Sequence, residues 1–223
     1  MTDRNRRLPF AALGLALVLA TGSAAAQQSI DKVLGSITAQ AGQAYGDLET
    51  VNGSITIETG ATTKDAGTVN GGITVADKAV TGDLETVNGS IRLGRDVTVN
   101  GSIELVNGSI FVDRGGKVAK GLENVNGAIG IVGTDVGGGI ETVNGDVTVG
   151  VGSHVHGGIK IDEIKPSNWN KRKPRVIIGP NAVVDGPLVF KREVQLYVHS
   201  SAKVGTITGA TPVAYSTATA PAE

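Results

Sequence analysis

A seven-residue motif that begins with Val-Asn-Gly recurs through most of the chain, and it constrains the fold more than any other feature. A degenerate first copy, Val-Leu-Gly-Ser-Ile-Thr-Ala, starts at Val33. The clear copies start at Val51, Val69, Val87, Val106, Val125 and Val143. Successive copies, counted from Val33, are 18, 18, 18, 19, 19 and 18 residues apart. A repeat this short cannot enclose a core alone, so neighbouring copies must stack.

The residues within each copy predict strands. Apolar side chains alternate with polar or small ones, as at Ile91 and Leu93, which is the period of a strand with one buried face. The density of Gly, Thr and Val argues against helix. A second apolar element, for example residues 80–84, lies between the copies. We therefore predict an all-β, single-stranded parallel β-helix (β-solenoid) with 18–19 residues per turn, right-handed as parallel crossovers usually are.

Stacked turns predict columns of equivalent residues about 4.8 Å apart. The asparagines of the motif should form a ladder whose side-chain amides hydrogen-bond along the axis. Asn and Gly also tolerate the positive φ of a tight corner. The expected ladder is Asn52, Asn70, Asn88, Asn107, Asn126 and Asn144.

The N-terminal 26 residues have the features of a signal peptide. Basic residues Arg4, Arg6 and Arg7 precede a short apolar stretch at 8–20, and an Ala-x-Ala cleavage site ends at Ala26. Thirteen apolar residues are too few to span a bilayer. The mature chain should be periplasmic or secreted, exported by the general or the twin-arginine route.

The remainder divides into a solenoid at 27–208 and a disordered Ala/Thr/Pro tail at 209–223. A loop insertion at 163–173 interrupts the solenoid. Val149 and Ile178 are 29 residues apart, which equals one 18-residue turn plus eleven inserted residues. A further 18-residue step is expected from Val176 to Val194.

Composition excludes several classes of function. There is no cysteine, which removes disulfides and thiolate metal sites. The net charge of −1 gives no electrostatic reason to expect nucleic acid as a partner. Zincin, Walker A, dinucleotide-binding and Gly-x-Ser-x-Gly motifs are absent from the sequence. We therefore expect a protein that is not an enzyme and that needs no cofactor.

The segment from Arg175 to Ile207 contains Ile-Gly-Pro-Asn-Ala-Val-Val-Asp-Gly-Pro-Leu and resembles the bactofilins, a family of polymer-forming bacterial cytoskeletal proteins. The upstream Gly-Asp-Leu-Glu-Thr-Val-Asn-Gly-Ser-Ile units are similar to that family and equally to secreted adhesin-like repeat proteins. The resemblance implies a three-sided right-handed β-helix that joins end to end into filaments without nucleotide. Bactofilins usually act in the cytosol or at its membrane face, whereas this chain begins with a signal peptide.

Alignment of the turns predicts an acidic column. Glu85, Glu104, Glu123 and Glu141 take the same position, with Glu49 two turns before Glu85. Carboxylates about 5 Å apart repel, so the column needs raised pKa values, cations or basic neighbours. It is either a weak calcium site or a row of solvated glutamates that keeps the rod soluble.

Two further groups are candidates for ligand binding. His154 and His156 should project from one outer face with the spacing of metal ligands, although no third ligand is evident in the sequence. The inserted loop carries Trp169 among Lys171, Arg172 and Lys173. This basic loop could hold an acidic glycan by charge and ring stacking, or it could pack against the rod.

The ends of the rod are candidates for self-association. The N-terminal turn, with Ile37 at its inward position, should be uncovered, and Leu196 and Val198 lie near the other end. Open strand edges invite pairing with another copy, which gives a homo-oligomer or a filament. The leading hypothesis is an exported, non-enzymatic envelope scaffold that associates end to end. The alternative is an adhesin-like β-helix that binds or processes glycans through the Trp169 loop.

Overall fold

The structure is a computed structural model that describes residues 27–163 and 172–221. These residues form a parallel β-solenoid with three sheets along its sides, as predicted. The described residues contain 27 strands, numbered here in chain order, and no helix among them is long and apolar enough to cross a membrane. The predicted signal peptide lies outside the described residues.

Sheets A and B contain ten strands each, and sheet C contains seven. Sheet A consists of β1 (Gln28–Leu34), β3 (Tyr45–Asn52), β5 (Ala66–Asn70), β8 (Leu84–Asn88), β11 (Ile103–Asn107), β14 (Leu122–Asn126), β17 (Ile140–Asn144), β20 (Ile159–Ile161), β23 (Leu188–Phe190) and β26 (Ile207–Thr208). Sheet B consists of β2 (Ile37–Ala39), β4 (Ile55–Ile57), β6 (Ile73–Val75), β9 (Ile91–Leu93), β12 (Ile110–Val112), β15 (Ile129–Ile131), β18 (Val147–Val149), β21 (Arg175–Ile178), β24 (Gln195–His199) and β27 (Val213–Tyr215). Sheet C consists of β7 (Val80–Thr81), β10 (Thr98–Val99), β13 (Lys117–Val118), β16 (Asp135–Val136), β19 (His154–Val155), β22 (Val183–Val184) and β25 (Lys203–Val204).

The strand register follows the repeat. Ile91 pairs with Ile110, one 19-residue step later, and Val149 pairs with Ile178 across the inserted loop. The next predicted step is wrong, because Val176 pairs with Leu196 and not with Val194. The cause is a bend at 191–194, which adds residues before β24 begins.

The core is a slim aliphatic column. Inward positions of successive turns, such as Leu84, Ile103 and Leu122, are fully buried, while the residues between them face outward. Each buried side chain of this size stabilises the fold by about 1.5–3 kcal/mol. Phe190 and Tyr215 are also buried, near the C-terminal end of the rod.

The asparagine ladder is present, but backbone strain does not explain it. Asn70 donates from Nδ2 to Oδ1 of Asn52 at 3.0 Å, and the same contact continues to Asn144. The ladder asparagines do not have positive φ, so the expected left-handed conformation is wrong for them, whereas the corner glycines Gly108 and Gly127 do have positive φ. They stabilise the corner through side-chain hydrogen bonds between turns.

The predicted disordered tail at 209–223 contains a strand. β27 pairs with β24 through Val198 and Ala214, and Tyr215 donates from its hydroxyl to the carbonyl of Ile178 at 3.2 Å. The Tyr215 side chain is buried, and this burial holds the segment on the rod. The solenoid therefore extends beyond 208.

Candidate functional site

The predicted glutamate column exists on the outer face of sheet A. Glu104 pairs in register with Glu85 on one side and with Glu123 on the other, and Glu123 pairs with Glu141. Outward positions of neighbouring parallel strands stack directly, so their carboxylates are adjacent. The repeat motif therefore predicted both the residues and their common face.

The column forms one wall of an open groove that runs along the rod, with a volume of about 810 Å³. The valines of the motif form the other side, two residues after each glutamate, and we call this surface the acidic–valine groove. Five of these valines are 38–41% exposed, which is unusual for large apolar side chains in a regular column. The exposed valines are Val51, Val69, Val87, Val106 and Val125.

A basic residue ends the column. Lys160 follows Glu141 in register, and its Nζ lies 2.8 Å from Oε2 of Glu141 and 2.8 Å from Oδ2 of Asp162. Lys191 also contacts Asp162, at 2.7 Å. The hydrogen bonds from Lys160 and Lys191 lower the pKa of Asp162, while those to Asp162 and Glu141 raise the pKa of Lys160.

The middle of the column carries unbalanced negative charge. Partial burial, followed by the charge of Glu104, raises the pKa of Glu85. The same two causes, with the charge of Glu141 added, raise the pKa of Glu123. The described residues that form ion pairs do not include Glu85, Glu104 or Glu123. The groove can therefore accept extended ligands that combine cationic and apolar groups, and its calcium role stays a prediction.

A second set of carboxylates lies just before the N-terminal ends of the strands of sheet A, and it stabilises the stacking of the turns. Oδ1 of Asp65 accepts the backbone N–H of Asp83 at 2.8 Å, and Oδ1 of Asp83 accepts that of Ser102 at 2.5 Å. The Ser102 backbone hydrogen bond is the main cause that lowers the pKa of Asp83. Sequence reasoning missed these residues, although Asp83 belongs to a repeated Gly-Asp-Leu unit.

The described part of the basic loop is paired with the rod. Both terminal nitrogens of Arg172 bind the carboxylate of Asp146, at 3.0 and 2.6 Å, and Nζ of Lys173 lies 2.9 Å from Oε2 of Glu193. Burial raises the pKa of Asp146, but the hydrogen bonds from Arg172 and Arg175 outweigh it and the pKa is lowered. Trp169 and Lys171 lie outside the described residues. The glycan-binding alternative depends on them and stays a prediction.

The histidine pair is placed as predicted. His154 and His156 flank the buried Val155 and share the outer face of sheet C, with ring centroids 3.9 Å apart. The structure adds two residues that sequence reasoning missed. Asp135 and Asp185 come from the preceding and following turns and contact the imidazoles.

The candidate contact residues at the rod ends need correction. Ile37 and Leu196 are each 1% exposed, because both point inward and belong to the hydrophobic core. Val198 is partly buried and packs against the same core. The exposed apolar residues at the ends are Val33 and Leu34 on β1 and Val213 on β27.

No family model matches this chain, and neither the curated proteins nor the solved structures contain a significant match. Function must therefore be argued from the residues and their geometry.

Proposed function

We propose that the protein is an exported, non-enzymatic rod of the cell envelope that assembles end to end. One observation carries the proposal. β1 is the outermost strand of sheet A, and it carries Val33 and Leu34 at 70% and 75% exposure. Among the described residues, no strand pairs with the outer edge of β1. Such an edge is a template for pairing with another chain.

The opposite end offers a matching surface. The last strand of sheet A is β26, the last strand of sheet B is β27, and Val213 on β27 is 52% exposed. All strand pairs within the rod are parallel, so a second copy placed head to tail would continue the same sheets. A head-to-tail contact between two different surfaces that continues along the rod axis does not close into a ring, and it generates filaments.

The repetitive groove supports a structural role over catalysis. Its lining repeats the same residue types from turn to turn, with a valine in all seven copies, a glutamate in five and a threonine in four. A catalytic centre instead brings dissimilar groups to one place, such as a nucleophile beside a base. A repeated surface is suited to extended contacts along the rod.

The test compares two exposed positions that carry the same substitution. Leu34→Lys places a charge on the terminal strand, and Val125→Lys places the same charge in the middle of the rod, at a position that is 40% exposed. The mature form, from Gln27, is measured by light scattering and electron microscopy at physiological salt. We expect Leu34→Lys to raise the concentration needed for assembly about tenfold or more, which corresponds to about 1.4 kcal/mol.

Val125→Lys should assemble like the wild type. Ile37→Lys is not a suitable variant, because Ile37 is buried and a lysine there would place an unpaired charge in the core. A wild-type chain that remains monomeric at high micromolar concentration would overturn the proposal, and so would equal effects of Leu34→Lys and Val125→Lys.

A further inference from the structure

The outer face of sheet C brings two histidines and two aspartates together from three successive turns. Asp135 pairs in register with His154, and His154 pairs with Val183 in the turn after it. His156 and Asp185 follow the buried residues Val155 and Val184, which also pair in register. The four polar side chains therefore occupy two adjacent columns on one surface.

The two shortest contacts within this group run diagonally between the columns. Nε2 of His154 lies 2.7 Å from Oδ2 of Asp185, and Nε2 of His156 lies 2.8 Å from Oδ1 of Asp135. Nδ1 of His156 lies 3.5 Å from Oδ2 of Asp185. His156 is thus placed between the two carboxylates, and Asp185 contacts both imidazoles.

We propose that Asp135, His154, His156 and Asp185 form a binding site for a divalent transition-metal ion of the Zn²⁺ type. One ligand atom from each of Asp135, His154 and His156 lies within 4.8 Å of the other two. Tetrahedral bonds of about 2.0–2.2 Å separate ligand atoms by roughly 3.3–3.6 Å, so a small side-chain rotation closes the site. The site is independent of end-to-end assembly.

The side chains have room for that rotation. Those of His154 and His156 are 39% and 45% exposed, while the strand beneath them is fixed by Val155, which is fully buried. A shallow groove of about 290 Å³ on the same face is lined by Asp135 and His156 and gives an ion a path from solvent. A rigid backbone with adjustable side chains lets the ligands close around an ion without distorting the sheet.

The chemistry of the ligands selects the ion. Imidazole nitrogen combined with carboxylate oxygen suits Zn²⁺, Cu²⁺ and Ni²⁺, whereas Ca²⁺ and Mg²⁺ prefer oxygen ligands alone. A bound ion replaces the protons that the histidines share with Asp135 and Asp185. The two carboxylates also balance the charge of a divalent cation. The nearest basic residue in the column of Asp135 and His154 is Lys117, which pairs in register with Asp135 one turn earlier.

The experiment titrates Zn²⁺ into the mature chain, from Gln27, purified without a polyhistidine tag and treated with a chelator, and it follows the heat of binding and the melting temperature. We expect one Zn²⁺ per chain and a rise in melting temperature. His156→Gln should weaken binding at least tenfold, and Asp185→Asn should weaken it less. His199→Gln is the matched control, since His199 lies on β24 beside Tyr215, and it should bind like the wild type.

Circular dichroism without metal shows whether each variant keeps the fold. If a histidine variant does not fold, Asp185→Asn tests the site instead. Absence of Zn²⁺ binding by the wild-type chain would overturn the proposal. Undiminished binding by the folded double variant His154→Gln plus His156→Gln would also overturn it. So would displacement of Zn²⁺ by an equal concentration of Ca²⁺, because that result would place the ion on oxygen ligands alone.

Discussion

The glycines of the Val-Asn-Gly corners are required for close stacking, and this leads to a quantitative prediction. A Cβ built on Gly89 would overlap the carbonyl oxygen of Gly71 in the preceding turn. Gly89 does not have positive φ, so the cost of a larger residue there comes from contact and not from backbone conformation. Gly89→Ala should therefore push two turns apart at one corner.

The magnitude can be worked from two opposing effects. Overpacking that forces backbone shifts typically costs about 1–3 kcal/mol. Replacing glycine by alanine also reduces the conformational entropy of the unfolded chain, which stabilises the fold by about 0.4–1 kcal/mol. The net effect of Gly89→Ala is a loss of up to about 2.5 kcal/mol, because the contact with Gly71 cannot be relieved by a side-chain rotation.

Gly67→Ala is the matched control. Gly67 lies in β5 at the glutamate position of its turn, and nothing lies within 4 Å of a Cβ built on it. Gly67→Ala also reduces the conformational entropy of the unfolded chain, but its Cβ overlaps no other atom. Its free energy of unfolding should therefore rise by about 0.4–1 kcal/mol. Urea denaturation of both variants measures the difference, which should be about 1–3 kcal/mol. Equal shifts of the two midpoints would refute the steric argument.

Two further predictions concern the columns of side chains. Asn107 donates to Asn88 and accepts from Asn126, both at 3.1 Å, so Asn107→Ala should cost about 1–2 kcal/mol in urea denaturation. Asn52→Ala removes only one such contact and should cost about half as much. The pKa of Glu123 is raised in the folded chain. The free energy of unfolding therefore falls as the pH rises above the pKa that this carboxyl has in the unfolded chain. Glu123→Gln should raise the free energy of unfolding by about 0.2–1 kcal/mol at pH 7, with a smaller gain at pH 3 that thermal melts can resolve.

The repeat was sufficient to predict the register of the regular turns and of the step across the inserted loop, but not of the next step, where Val176 pairs with Leu196. Glu85 to Glu104 is a 19-residue step and Glu123 to Glu141 is an 18-residue step, yet both pairs align because the motif, and not a constant period, marks each turn. The 29-residue step from Val149 to Ile178 was also predictable, since the pattern resumes after the loop with the same alternation.

The exposure of terminal residues could not be predicted from their inward position. Ile37 is expected to be uncovered because it belongs to the first turn. An inward position does not show, however, which other side chains of that turn cover it. Ile30 and Tyr45 pack against the same core cluster. The segment beyond Gly209 contains few large apolar residues, which favours disorder, but the single buried ring of Tyr215 anchors it to the rod.

The partners of the histidines could have been found from the sequence. The 19-residue step places Asp135 beside His154, and the 29-residue step places Asp185 beside His156. A column alignment alone does not show the two shortest contacts, because these are diagonal. A column alignment shows Asp135 in the column of His154, whereas the short contact of Asp135 is to His156. Such a group can be predicted only when contacts between neighbouring columns are considered together with contacts within one column.

A solenoid with identical turns would repeat any binding site at every turn, so a single site must lie where the repeat departs from itself. The departures in this chain are concentrated within a few turns. Lys160 ends the glutamate column on the turn that carries His154 and His156, and that same turn leads into the inserted loop. The regular turns before it present the acidic–valine groove, in which Gly67 takes the place of one glutamate. Rod-like stacking and local ion chemistry can therefore coexist in one chain, since the groove lies on sheet A and the histidine–aspartate group lies on sheet C.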